Sequence, residues 1–117
     1  MSAALRREDL VTLPSPDPRH DYLVELRAAA GPVALRVRYV PDRLILDPAS
    51  LARHTEGLTG GLEAVALALL DDLANELVPR WLEVTASAET PLPHRVVAED
   101  RQPAWDNPTL LARLERI

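Results

Sequence analysis

Two residue types that carry much of nucleophilic enzyme chemistry are missing from the chain of 117 residues, which has no cysteine and no lysine. A thiolate nucleophile, a cysteine-ligated zinc, a disulfide framework and a Schiff-base lysine are therefore excluded. The histidines His20, His54 and His94 lie far apart in the chain. No His-x-His or His-Glu-x-x-His spacing sets two rings on one face, so no metal site is expected. His54 is expected on a short helix with its ring turned to solvent. No Gly-x-Ser-x-Gly elbow presents a serine, so no Ser-His-Asp triad is read. Thr59-Gly60-Gly61 stands before a helix, where backbone N–H groups can meet an anion. It lacks the Gly-Lys-Ser/Thr ending of a phosphate loop and reads as a tight turn. Arg36 and Arg38 alternate on one strand; they could bind anions, but the ordinary expectation is a solvated outer face. Trp81 is expected in the core or an interface.

Composition narrows the partners. The net charge of −5 works against generic nucleic-acid binding, whose affinity comes from cations neutralising phosphates. All 13 basic residues are arginine, and two Trp, two Tyr and no Phe leave few platforms for base stacking. The Ala, Leu and Arg bias fits genome composition. No apolar run approaches the ~20 residues of a membrane span, and Met1 to Asp9 carries charges where a signal peptide needs apolar residues. A cytoplasmic protein is expected. With 47% hydrophobic and 26% charged residues, the chain has the makeup of one globular domain.

The elements that must position any site follow from periodicity. Leu13 to Pro18 places three prolines in six residues, so residues 1–20 form an extended, proline-rich arm. Asp21 to Arg27 reads as a first strand. After the Gly31-Pro32 punctuation, Val33 to Val40 alternates so that Val33, Leu35, Val37 and Tyr39 share a face, giving a second strand antiparallel to the first. Leu44 to Leu46 continues extended, and Asp47-Pro48 caps a short helix running to about Glu56. Leu62, Val65, Ala66, Leu69, Leu70, Leu73 and Leu77 recur at helical spacing and mark the longest helix, ended by Pro79. Trp81 to Glu89 and His94 to Ala98 read as strands three and four. Residues 101–117 form a tail in which Asp106-Asn107-Pro108 caps a last helix, with Leu110, Leu111 and Leu114 on its docking face. Two hairpins around a helix pair define an α+β domain over residues 21–100, a four-stranded antiparallel sheet with helices on one face.

This order (ββααββ), with Arg38-Tyr39-Val40-Pro41-Asp42 after strand two and Pro79-Arg80-Trp81-Leu82-Glu83-Val84 opening strand three, resembles the 7-cyano-7-deazaguanine reductases. Those are tunnelling-fold, NADPH-dependent nitrile reductases of queuosine biosynthesis. The resemblance runs from about Val24 to Val84 and includes Ser50-Leu51 in the first helix. It implies a tunnelling fold that closes into a homo-oligomeric barrel, yet most of the family's catalytic parts are replaced. The nucleophilic cysteine falls near Val24 and the proton-donating aspartate near Gly31. The cofactor motif, an acidic residue followed by Ser-Lys-Ser-aliphatic-Lys, corresponds to Asp47-Pro48-Ala49-Ser50-Leu51-Ala52. Its two lysines, which would meet NADPH phosphates, are residues of Pro or Ala type, so no cofactor is expected.

Of the His-Glu pair that grips the base in the family, Leu62-Glu63 keeps only Glu63, after a deletion of about three residues. The resemblance makes Glu63 the candidate substrate-binding residue, because one carboxylate can accept two parallel N–H bonds from a guanine- or pterin-like ring edge. The plainer account is a first-turn glutamate that complements the helix dipole, worth about 0.3–1 kcal/mol with no ligand. No catalytic residue is assigned. Three functions remain open: a heterocycle-binding relative without nitrile reductase activity, a structural or interaction homo-oligomer without a pocket, and an enzyme of another tunnelling-fold reaction.

Overall fold

The computed structural model describes residues 9–114; the outer parts of the expected arm and tail, residues 1–8 and 115–117, lie outside them. Among the described residues, six strands and three helices follow in the order β1 (Thr12–Pro14), β2 (Val24–Ala30), β3 (Val33–Val40), β4 (Leu44–Leu46), α1 (Pro48–Thr55), α2 (Leu62–Leu77), β5 (Trp81–Ala88), β6 (His94–Arg101) and α3 (Pro108–Leu111).

The main sheet has the order β2-β3-β5-β6 and is antiparallel throughout. The β2–β3 hairpin turns on Gly31-Pro32. Gly31 has φ +59, which a glycine adopts without steric cost, and proline's fixed negative φ follows it, as a type II′ turn requires. Register sets the faces. Leu26 pairs with Val37 and Val37 with Val84, while Leu35 pairs with Ala86 and Tyr39 with Leu82. Val37, Leu82, Val84 and Ala86 have no exposure; with Leu35 and Tyr39 they belong to the core cluster under the helices, and the half-buried Leu26 packs against it. The alternation of Val33, Leu35, Val37 and Tyr39 is therefore the core face, as a period of two demands.

Helix α2 packs on β5 and β6 and buries Leu62, Val65, Ala66, Leu69, Leu73 and Leu77, the stripe set by the 3.6-residue repeat. It ends at Val78, whose left-handed φ of 46 is strained for a β-branched residue, and Pro79 then prevents continuation. Helix α1 packs against β2 and buries Ser50, Leu51, His54 and Thr55.

Several boundaries differ from expectation. The first strand of the sheet starts at Val24 rather than Asp21, because the Asp21 side chain is taken up by a network described below. Strand β6 runs on to Arg101, and Leu44–Leu46 is a strand that pairs with Thr12–Pro14, so part of the proline-rich arm belongs to a small second sheet. Proline is tolerated there because Pro14 ends an edge strand that needs no further N–H donor. The last helix is a single turn with no buried residue. Leu110, Leu111 and Leu114 are half-buried while Pro108, Thr109, Ala112 and Arg113 are exposed, so the three leucines form the inward side of the tail, which polar contacts from Trp105 and Asn107 to Asp21 also hold.

Candidate functional site

Glu63 sits in the first turn of α2, two residues past the N-cap Gly61, and is exposed. Gly60, with φ +114, turns the chain into the helix; a Cβ there would approach the Cβ of Ala64 to 3.2 Å, so Thr59-Gly60-Gly61 needs glycine at this point. Leu62, at the position of the family histidine, is 6% exposed and forms part of the core. One half of the pair at this turn is packed inward, and the other stands free at the surface.

The Asp47–Ala52 segment divides in the same way. Asp47 is the N-cap of α1 and Pro48 its first residue, as expected, although the Asp47 side chain makes no capping bond. Ser50 is fully buried: its hydroxyl accepts from Val11 N–H at 3.0 Å and donates to the Asp47 carbonyl at 2.7 Å. Leu51 is core. Ala49 and Ala52 are exposed and end in methyl groups. The residues that match the cofactor motif hold the helix in place, while the lysine positions present no cation. With Asp47 adjacent, the residues of this segment do not fit the phosphates of a dinucleotide.

The two most specific matched motifs are neighbours in space. Val40 pairs with Trp81, and Arg80 N–H donates to the Val40 carbonyl at 2.9 Å. The Tyr39 hydroxyl accepts from Leu46 N–H at 2.9 Å, and burial pushes the phenol pKa up. Arg80 fans out to Asp21 Oδ1 at 3.0 Å, Asp42 Oδ1 at 3.2 Å and the Pro18 carbonyl at 2.6 Å. Asp21 Oδ2 also accepts from Trp105 Nε1 at 3.1 Å and Asn107 Nδ2 at 2.9 Å, which ties arm, strand and tail together. Burial works to raise the Asp21 pKa, but the bonds from Asn107, Trp105 and Arg80 outweigh it and hold the carboxyl below its ordinary 3.8. Trp81 is buried, and its Nε1 donates to Glu99 Oε2 at 2.6 Å.

Two expectations are corrected. His54 does not face solvent: it has no exposure, and its Nε2 lies 3.0 Å from Asp72 Oδ2, which is equally buried. The helical spacing from Leu51 to His54 was the available signal, since residues three apart share a helix face. Arg36 and Arg38 do not lie on a solvated face either. Arg38 is 3% exposed and paired with Glu83, its direct cross-strand neighbour, through Nε at 2.8 Å and also through Nη2. Arg36 has 16% side-chain exposure. Strand β3 is central, with β2 on one side and β5 on the other, and β5 supplies the Glu83 that pairs with Arg38.

Val24, where the family's cysteine is expected, is half-buried, packs on the core and pairs with Tyr39; Gly31 is an exposed turn residue. Neither can donate a proton or attack a carbon. Among the described residues no helix is long and apolar enough to cross a membrane.

The sheet order, the helix pair on one face and the connecting turns define a tunnelling-fold α+β domain. The fold matches that of the apo archaeosine synthase QueF-Like with a TM-score of 0.53, covering 78% of this chain and 92% of that one at 20% identity. Comparison with family profiles gives no match. The NADPH-dependent 7-cyano-7-deazaguanine reductase of Syntrophus aciditrophicus (strain SB) is 31% identical, over 85% of this chain and 82% of its own length. Those of Alkalilimnicola ehrlichii and Nitrosococcus oceani are each 30% identical, over 84% and 88% of this chain and 88% and 92% of their own. The chain belongs to the 7-cyano-7-deazaguanine reductase family. The similarity extends well beyond the Val24–Val84 stretch legible in the sequence.

Proposed function

We propose that this protein is a family member that binds a purine- or pteridine-like heterocycle through Glu63 and does not reduce nitriles. The observation that carries the reading is a chain 31% identical to a nitrile reductase that contains no cysteine at all. Family chemistry adds a thiolate to the nitrile carbon, giving a thioimide that accepts hydride. A hydroxyl at neutral pH lacks that nucleophilicity without an activating base, and at the expected position stands the aliphatic Val24. The methyl groups of Ala49 and Ala52 likewise support the absence of NADPH binding by the family's motif. Glu63 is retained and exposed at a helix start, free to accept two N–H bonds from a ring edge. Its pocket is completed between copies: β2 and β6 are open edges of the sheet, and joining them edge to edge would bring a second chain's strands near α2.

The test is a thermal-shift screen with guanine, 7-deazaguanines, pterins and urate, together with mass by light scattering. A ligand that binds the native state alone raises the melting temperature by mass action. A concentration-dependent rise with one of these ring systems in an oligomer is the expected result. A monomer that answers to none of them would refute the proposal.

A second reading, a structural or interaction homo-oligomer with no small-molecule site, is favoured by one feature. Glu63 stands exposed at the helix start and is not part of the two clefts that lie along β5 and β6. An oligomer with no response in the same screen would establish that reading instead.

A further inference from the structure

On the sheet face opposite the helices, cross-strand register aligns Arg27 with Arg36 and Arg36 with Thr85. In the adjoining row Ala34 pairs with Ser87 and Ser87 with Arg95. Residues two apart on a strand share a face, so the small side chains of Ala34, Thr85 and Ser87 leave a depression flanked by three arginines. That depression is a cleft of about 220 Å³. Two arginines directly opposite one another repel, and such pairs are disfavoured in a sheet unless an anion intervenes. Glu25 lies 3.4 Å from Arg27, and Glu83 lies 3.8 Å from Arg36. Glu83 also holds the buried Arg38. Among the described residues Arg95 makes no ion pair. Thr85 is 6% exposed, and its buried hydroxyl has no hydrogen-bond partner although it lines this cleft. A buried hydroxyl without a partner is rare in folded proteins and calls for a partner from outside the chain or another physical reason.

We infer that this cleft is a binding site for the phosphate group of a small phosphate monoester. Guanidinium forks match phosphate oxygens in pairs, and the Thr85 hydroxyl adds a donor at the floor. The organic body has somewhere to go: Ser87 and Arg95 also line a wider adjoining cleft of about 580 Å³, bordered by Pro93 and His94, with Glu89 at its side. This site lies on the opposite face of the sheet from α2 and does not depend on Glu63.

Calorimetric titration of the whole protein with inorganic phosphate and with phenyl phosphate, at fixed ionic strength set with chloride, tests the inference. Saturable binding of both is expected, with phenyl phosphate the tighter. Arg95→Gln, at an exposed position, should weaken both by about tenfold or more, as loss of a charge-assisted bond implies. Thr85→Val should also weaken both while leaving the ligand-free melting temperature equal or higher, because it removes an unpartnered hydroxyl. Glu63→Gln should leave both unchanged, which separates this site from the heterocycle site. Absence of saturable binding in the wild type, or equal affinity in wild type, Arg95→Gln and Thr85→Val, would overturn it. Binding of phosphate only as part of a nucleic-acid strand would do the same.

Discussion

His54 Nε2 and Asp72 Oδ2 lie 3.0 Å apart with neither side chain exposed, so the pair joins α1 to α2 inside the protein. A carboxylate out of reach of water depends on its donors, and removing one partner of such a pair costs more than replacing both by apolar groups. His54→Leu is expected to lower stability by roughly 2–4 kcal/mol. The double variant His54→Leu/Asp72→Leu should recover part of that loss. Urea unfolding midpoints for the three proteins check this; a His54→Leu midpoint equal to wild type would mean that the pair does not hold the helices together.

Asp21 gathers Arg80, Trp105 and Asn107, and its folded pKa is lowered below the ordinary 3.8. Glu99 is held below its ordinary 4.5: burial opposes the charged form, but the bonds from Trp81 and Arg101 prevail. A group whose folded pKa is depressed contributes stability above its unfolded value, and that stability is lost as pH falls through the folded value. Melting temperature should therefore hold at neutral pH and decline as pH drops through about 4.5 and below 3.8. Asp21→Asn should start lower at neutral pH and show a shallower acid decline. An acid decline as steep as that of wild type would remove Asp21 from this account.

How far the fold was legible depended on whether a residue's fate was local. The Leu35, Val37 and Tyr39 alternation and the α2 stripe are set by periods of two and 3.6, which a sequence displays directly. The pairing of Thr12–Pro14 with Leu44–Leu46 was not visible, because three nearby prolines signal extension without naming a partner. Arg38 looked solvated because its burial follows from pairing with Glu83, and that register emerges only once β3 and β5 are adjacent. The motif survivors have a physical pattern as well. Ser50, Leu51, Tyr39 and Arg80 are buried or tied into networks, whereas Ala49 and Ala52 are exposed. The residues shared with the family that the structure buries are thus mostly scaffold, and Glu63, exposed at a helix start, is the one on which the proposed function rests.

Purified protein given NADPH and 7-cyano-7-deazaguanine should show no loss of NADPH absorbance above background. The reason is chemical: without a thiolate no thioimide forms to accept hydride. Substituting Val24→Cys alone should restore little, because the aspartate position is Gly31 and the lysine positions are Ala49 and Ala52. Substrate-dependent oxidation by the wild type at the turnover of a working reductase would show that a different nucleophile operates.

The most direct test of the heterocycle reading is calorimetric titration of the best ring ligand from the thermal-shift screen into wild type and Glu63→Gln. The substitution preserves shape but turns one acceptor oxygen into an amide donor, so one ring N–H loses its partner and meets another donor. An unpaired buried polar group costs about 1–3 kcal/mol, at least several-fold in affinity. Stability should change by less than about 1 kcal/mol, the worth of a helix-dipole charge. Weaker binding at an unchanged melting temperature is the predicted result; equal affinity for the two proteins would contradict it.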